Sequence, residues 1–300
     1  MSESHWPAKR RVTLIGALVN LALSLGKLAG GLIGQSQALV ADGVHSLSDL
    51  LSDALVLLAS RWGSLDADHN HPYGHQRIET LATLGVGLLL LALGAGFLID
   101  SISRLLNPER LLAPGWLAFG IAVASVLVKE ALYQYTARVA RQTESALLRA
   151  NAWHHRSDAL SSMVVIVGIA GALAGLLWLD SVAAAIVGIM LGWVGWRLIG
   201  EAATELVDTG LSGRELRALS HTIAAVPGVC HHDRLRSRRM GGRIFVDVRI
   251  HLAPEVRVTE AEAISARVSR RMVEQLPGQA DVVISIAAAR DSSVTGDSGR

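Results

Sequence analysis

Leu81-Ala-Thr-Leu-Gly-Val-Gly-Leu-Leu-Leu-Leu-Ala-Leu-Gly-Ala-Gly-Phe-Leu-Ile99 contains no charged residue, and its reading decides the fold class. A helix rises about 1.5 Å per residue, so this run covers roughly the 30 Å hydrocarbon core of a bilayer. Working outward, similar runs fall at roughly 11–33, 38–61, 114–137, 155–178 and 181–203, which with 80–103 makes six candidate transmembrane helices. The composition agrees: 51% of the residues are hydrophobic and 18% charged, and the apolar runs all lie before residue 205. The stretch after Lys9-Arg10-Arg11 continues to Ile33 without a small-residue cleavage site, so it reads as a retained first helix rather than a signal peptide. Gly26, Gly30 and Gly34 on the first span, and Gly188, Gly192 and Gly195 on the sixth, have the spacing of close helix contacts.

Lys9, Arg10, Arg11, Arg61, Arg77, Arg138, Arg141 and Arg149 flank one side of these spans, against Arg104 and Arg110 on the other. The positive-inside rule then puts both termini in the cytoplasm. The net charge of +2 is small and its basic residues dispersed, which speaks against a nucleic-acid partner.

After Asp208 the composition becomes that of a soluble lobe. Ser212 with Glu215, and Thr259 with Glu262, read as capping-box starts of two helices that end before Pro227-Gly228 and Pro277-Gly278. Two strands flank Gly241-Gly242, the second alternating at Ile244, Val246, Val248, Ile250 and Leu252, and a last strand covers roughly 281–288. The order helix, strand, strand, helix, strand is that of an α+β ferredoxin-like domain. The expected division is a six-helix transmembrane domain at 1–207, a cytoplasmic metal-binding and dimerisation domain at 208–290, and a disordered tail at 291–300.

Within the spans, Ala41-Asp-Gly-Val-His-Ser-Leu-Ser-Asp49 and Trp153-His-His-Arg-Ser-Asp158 repeat one pattern. A spacing of four puts His45 over Asp49 and His154 over Asp158 on one helix face each. Each ionisable group near a bilayer centre costs roughly 2.5–3.5 kcal/mol on insertion scales, so four of them imply a role. Two imidazoles and two carboxylates suit tetrahedral Zn²⁺ and could hold Cd²⁺, Co²⁺ or Fe²⁺. Cys230 is the only cysteine, which rules out a thiolate cage. His155 also lies within helical reach of Asp158, so His154 and His155 both stand as candidates, with His154 preferred for its matching spacing. With straight helices, His45 would fall near the outer end of its span and Asp158 near the inner end of its own, which calls for tilt or a water-filled vestibule.

Asp68, His71 and His75 form a second candidate set in the loop Asp66-Ala-Asp-His-Asn-His-Pro-Tyr-Gly-His75. A third lies in the lobe, with His231, His232 and Asp233 on one strand and His251 on the next.

Taken together, the six spans, the His45/Asp49/His154/Asp158 quartet, the His-Pro-Tyr-Gly-His-Gln-Arg-Ile-Glu79 segment and the α+β lobe resemble the cation diffusion facilitator family of divalent-metal/proton antiporters. The chain looks most like the bacterial branch related to the ferrous iron and zinc exporter, in which the position of His45 is often Asp. The resemblance implies a homodimer in a bacterial inner membrane, surrounded by lipid, with Zn²⁺ as transported and regulatory ion. It also implies a peripheral site at Asp68, His71 and His75 and a dimer-bridging lobe site at His232 and His251, with Asp233 and Glu262 as further candidates. Where relatives place additional lobe ligands this chain has Glu262 and Ser285. Arg77 and Asp208 match a pair that locks charges together at the membrane–lobe junction.

No Gly-x-x-x-x-Gly-Lys-Ser/Thr sequence is present, so protons rather than ATP are the expected energy source, with no organic cofactor. Zinc binding requires neutral imidazole and ionised carboxylate, whose reference pKa values of about 6.5 and 3.9 make histidine the expected exchanging group. An enzyme is not expected. The alternatives are a non-transporting metal sensor or scaffold and, least favoured, an intramembrane metallohydrolase, for which no His-Glu-x-x-His helix exists.

Overall fold

In a computed structural model, residues 6–63, 65, 68–72 and 74–289 are described, so the tail expected at 291–300 lies outside them. Six long helices come first: α1 (Trp6–Ile33), α2 (Gln37–Gly63), α3 (Arg77–Leu106), α4 (Trp116–Gln142), α5 (Ala146–Leu173) and α6 (Trp178–Leu206). All but α2 are long and apolar enough to cross a membrane. The second helix is interrupted by Asp42, His45, Asp49 and Asp53, which lowers its mean hydropathy. Large apolar side chains such as Leu18, Leu32, Trp193 and Trp196 point outward, while small ones, among them Ala38, Ala118, Ala122 and Ala184, fill the interior. This is the pattern of helices that meet lipid on the outside and approach one another closely within.

The fifth helix starts at Ala146, well before the expected 155. Ser145 caps it by accepting a hydrogen bond from the Leu148 amide at 3.4 Å, and Glu144, at φ 48°, turns the chain sharply from α4. Counting from these starts, Asp49 is the thirteenth residue of α2 and Asp158 the thirteenth of α5. The longer helix moves Asp158 from the end of its span to near its middle, at the level of Asp49, while His45, the ninth residue of α2, stays nearer the start of its helix.

The amides that open α2 are capped from another helix. Asp180 of α6 accepts from the Gln37 amide at 2.7 Å and from the Ser36 hydroxyl at 2.6 Å, while Ser36 Oγ accepts from the Leu39 amide at 3.1 Å. A carboxylate here satisfies otherwise orphaned donors and complements the helix dipole.

Helices α3 and α6 meet backbone to backbone. A methyl group on Gly94 would lie 2.5 Å from the Gly188 carbonyl oxygen and 2.6 Å from the Gly192 nitrogen, and Gly195 faces Gly87 in the same way. On α1, Gly30 lies under Ile121 and Gly34 against Ala118, as their spacing suggested, but Gly26 meets nothing within 4 Å.

After α6 the lobe runs α7 (Gly213–Ala224), β1 (His231–Met240), β2 (Arg243–Leu252), α8 (Val258–Gln275) and β3 (Ala280–Ala288), with sheet order β1-β2-β3. The capping box of Ser212 and Glu215 opens α7. Its serine hydroxyl and amide hold the Glu215 carboxyl below its ordinary pKa. The expected box at Thr259 and Glu262 does not form. Helix α8 starts earlier, with Arg257 as its cap residue and the Arg257 carbonyl accepting from Glu260 and Ala261 at 3.0 and 2.9 Å, so Thr259 is already helical. Gly241 and Gly242, at φ 55° and 75°, make the two-residue turn that joins antiparallel β1 and β2. The alternating apolar residues of β2 are buried against Leu219, Ile223, Ile264, Val268 and Met272 of α7 and α8. Strand β3 pairs parallel to β2, which requires the α8 crossover.

The chain forms two compact units: residues up to Leu57 with Thr83–Ile199, and Leu58–Ala82 with the chain from Gly200 onward.

Replacing Gly94 by Val should force α3 from α6 and lower the melting temperature in detergent, at a cost of about 1–3 kcal/mol. Gly26→Ala, which meets open space, should change stability by less than about 0.5 kcal/mol. Equal melting temperatures for the two variants would contradict the seam.

Candidate metal centre

Ligand atoms of His45, Asp49 and Asp158 lie within 4.8 Å of one another. His45 Nε2 is 3.9 Å from Asp49 Oδ2, and His154 Nε2 is 3.8 Å from Asp158 Oδ2. The helical spacing thus acts locally as chemistry requires, and the α2–α5 juxtaposition brings the two carboxylates to one place. His154 is half exposed, whereas His155 is 3% exposed with both ring nitrogens lacking a hydrogen-bond partner among the described residues. Both histidines line a cavity of about 90 Å³, together with Asn20, Ser46, Asp49, Lys129 and Asp158. Such a set of nitrogen and carboxylate donors can hold a divalent ion.

Two buried lysines had no place in the motif reading. Lys27 of α1 is 0% exposed, and its Nζ lies 2.7 Å from Asp42 Oδ2 and within 3.2 Å of Ser46 Oγ and 3.1 Å of Ser162 Oγ. Ser162 in turn donates to the Asp42 carboxylate, at 2.9 Å from Oδ2. Lys129 of α4, 2% exposed, lies 3.3 Å from Asp158 Oδ2 and 3.4 Å from Ser46 Oγ. A polar chain therefore runs from Asp42 through Lys27, Ser46 and Lys129 to Asp158. The available clue was a single lysine inside each of two apolar runs, which in hydrocarbon demands a partner.

In the loop, Asp68 Oδ1 is 3.2 Å from His71 Nδ1, and Asp68 Oδ2 is 3.3 Å from His75 Nε2. The three ligand atoms fall within 4.8 Å of one another. The His71 amide donates to Asp68 at 2.6 Å and the Asn70 amide at 2.9 Å. Led by the His71 amide, these bonds lower the Asp68 pKa from its ordinary value, so the carboxylate stays charged further into acid. Gly74, at φ 84°, folds the segment back so that His75 reaches Asp68.

The lobe residues separate onto two faces. His231 and His251 are register partners with rings stacked at 3.9 Å, and His251 Nε2 is 3.4 Å from Asp233 Oδ2. His232, one residue along the strand, turns to α7 and meets Ser220 Oγ at 2.9 Å. Burial, and then the neighbouring His231, lowers the His232 pKa, which favours the neutral ring. Within one chain, His232 is thus not gathered with His251, and Glu262 is exposed on α8. His231 is the residue that stands beside His251.

Arg77 and Asp208 do pair, at 2.8 Å, but both are about half exposed, so the pair contributes little to stability. Beside them Glu205, which no motif singled out, accepts from Thr80 Oγ1 at 2.8 Å and from the Gly241 amide at 2.5 Å.

Residues 13–207 match the family model described as cation efflux transmembrane domain, and residues 211–287 match that of the cation efflux protein cytoplasmic domain. Metal tolerance protein C1 of Arabidopsis thaliana is 35% identical over 93% of this chain, which spans 62% of that protein's length. Manganese efflux system protein MneS of Bacillus subtilis is 31% identical over 87% of this chain and 90% of its own. Magnetosome protein MamB of Paramagnetospirillum magneticum is 31% identical over 90% of this chain and 91% of its own.

Asp42→Ala should strand the Lys27 ammonium between helices and cost about 3–5 kcal/mol, read as a large drop in melting temperature in detergent. Replacing both partners, Lys27→Met with Asp42→Leu, should recover most of that loss. A single variant as stable as the parent would show that the pair does not hold the bundle.

Proposed function

The chain belongs to the cation diffusion facilitator, or cation efflux, family, and from that premise we propose that it exports divalent metal ions in exchange for protons. Divalent-metal efflux is the family's activity, and the family is one of transporters rather than enzymes. The gathering of His45, Asp49 and Asp158 ligand atoms within 4.8 Å of one another, halfway along α2 and α5, carries the reading of this place as the transport site. His154, 3.8 Å from Asp158 though outside that cluster of three, is the proposed fourth ligand.

Two nitrogen and two oxygen donors favour Zn²⁺. Similarity to a protein named as a manganese efflux system supports Mn²⁺ as a second candidate cargo, with Fe²⁺, Cd²⁺ and Co²⁺ behind them. An ion that binds must displace whatever protons its ligands carry, so alternation of the site between the two sides of the membrane would move metal outward and protons inward. The proposed setting is a bacterial inner membrane with both termini cytoplasmic, the transmembrane domain being 1–207 and the lobe 208–290.

Asp68, His71 and His75 are proposed to collect ions at the cytoplasmic surface. The lobe, matched by a family domain of cytoplasmic location, is proposed to pair two copies of the chain through an ion held by Asp233 and His251, with His232 and Glu262, which are not gathered with them within one chain, outside that set. His231, stacked on His251, joins that set. Arg77 and Asp208 would act as a breakable lock, since a half-exposed pair can open at little cost.

Proteoliposomes with an imposed pH gradient test the proposal. Zinc and manganese flux should follow the gradient and fall to background in Asp49→Ala and in Asp158→Ala. Flux indifferent to the gradient would refute antiport, and undiminished flux in both variants would move the transport site elsewhere.

A further inference from the structure

Lys129 meets the same Asp158 oxygen, Oδ2, that faces His154. Its ammonium is buried, so it is neither screened by solvent nor free to swing into water. Lys27, by contrast, is engaged with Asp42 at 2.7 Å and held by two serine hydroxyls. The two lysines share Ser46 Oγ but have different carboxylates: Lys27 is paired with Asp42, and Lys129 shares Asp158 with the ligand set.

Resting on the transport-site reading above, we propose that Lys129 is a tethered cation that competes with the cargo ion for Asp158 and so sets how tightly the site holds metal. The physical reason is direct. A dication at Asp158 Oδ2 and an ammonium in contact with that oxygen repel each other, and at low local dielectric this repulsion is far stronger than in water. Entry of the ion pushes the ammonium from Asp158 towards Ser46 Oγ, already 3.4 Å away and shared with Lys27 at 3.2 Å. Departure of the ion lets it return, so the carboxylate does not face the membrane interior uncompensated. What changes between the two states is the position of the Lys129 side chain. A carrier must bind well enough to load yet weakly enough to unload. In this site the weakening is provided by Lys129.

The proposal makes Lys129 an affinity-setting residue and Ser46 its alternative seat. It predicts that removing the charge strengthens binding, the reverse of what loss of a structural ion pair would do.

The test uses the full chain with His71, His75, His231, His232 and His251 replaced by alanine, so that the intramembrane site is read alone, with Zn²⁺ and Mn²⁺ as probes. Lys129→Met should tighten Kd by about tenfold or more and, in proteoliposomes, lower KM and maximal rate together, because the ion enters easily and leaves slowly. Lys129→Arg, which keeps the charge, should stay near the parent. Ser46→Ala, with no seat for the displaced ammonium, should bind severalfold more weakly, which keeps the idea testable if Lys129→Met fails to fold. Unchanged or weaker binding in Lys129→Met, with Asp158→Asn still abolishing binding, overturns the proposal while the transport site stands. Parent-like binding in Asp158→Asn overturns both.

Discussion

An ammonium buried among membrane helices has to find a carboxylate inside the bundle, and the 2.7 Å contact of Lys27 with Asp42 is where this requirement ties the structure together. It joins α1 to α2, and Ser162, bonded to both partners, draws in α5. Asp42, Ser46, Asp49 and Asp53 follow one another at helical spacing, so a single polar stripe runs down α2. That stripe weakens the apolar character of the helix while giving it its place in the bundle. Of the candidate metal ligands, Asp49 lies farther along this stripe and Asp158 ends the polar chain through Lys129.

Much of this was legible in the sequence, and the reason differs from element to element. The uncharged run at 81–99 announced a spanning helix because no soluble fold demands such a stretch. Strand β2 announced itself by alternation, and α7 by a serine and glutamate three residues apart. The His-Asp pairs were readable because both members sit on one helix, where spacing alone fixes proximity. What required tertiary structure was not readable. Lys27 and Asp42 lie on different helices, as do Lys129 and Asp158, and nothing in spacing connects them. The start of α5 was misplaced because polar residues around His154 and His155 hid a helix that continues through them. In the lobe, adjacent His231 and His232 were read as one cluster, although neighbouring strand residues must face opposite ways.

The candidate ion sites also differ in what governs them. Asp68 and His71 are more than half exposed, so an ion there exchanges with water and its binding is screened by salt. Asp158 is buried beside a lysine, so every charge in its surroundings counts. One chain thus carries an exposed candidate set in a loop and a more buried candidate set between helices, each built from the same two residue types.

The Asp180 cap on α2 sets an order of events during synthesis. Its carboxylate lies 143 residues downstream of the amide it receives from Gln37. At a synthesis rate of about 5–20 residues per second, the ribosome needs roughly 7–30 s to make that stretch. For that interval α2 has its opening amides uncapped by their eventual partner. The cap on the second helix can therefore form only once the sixth has been made, when most of the membrane domain already exists.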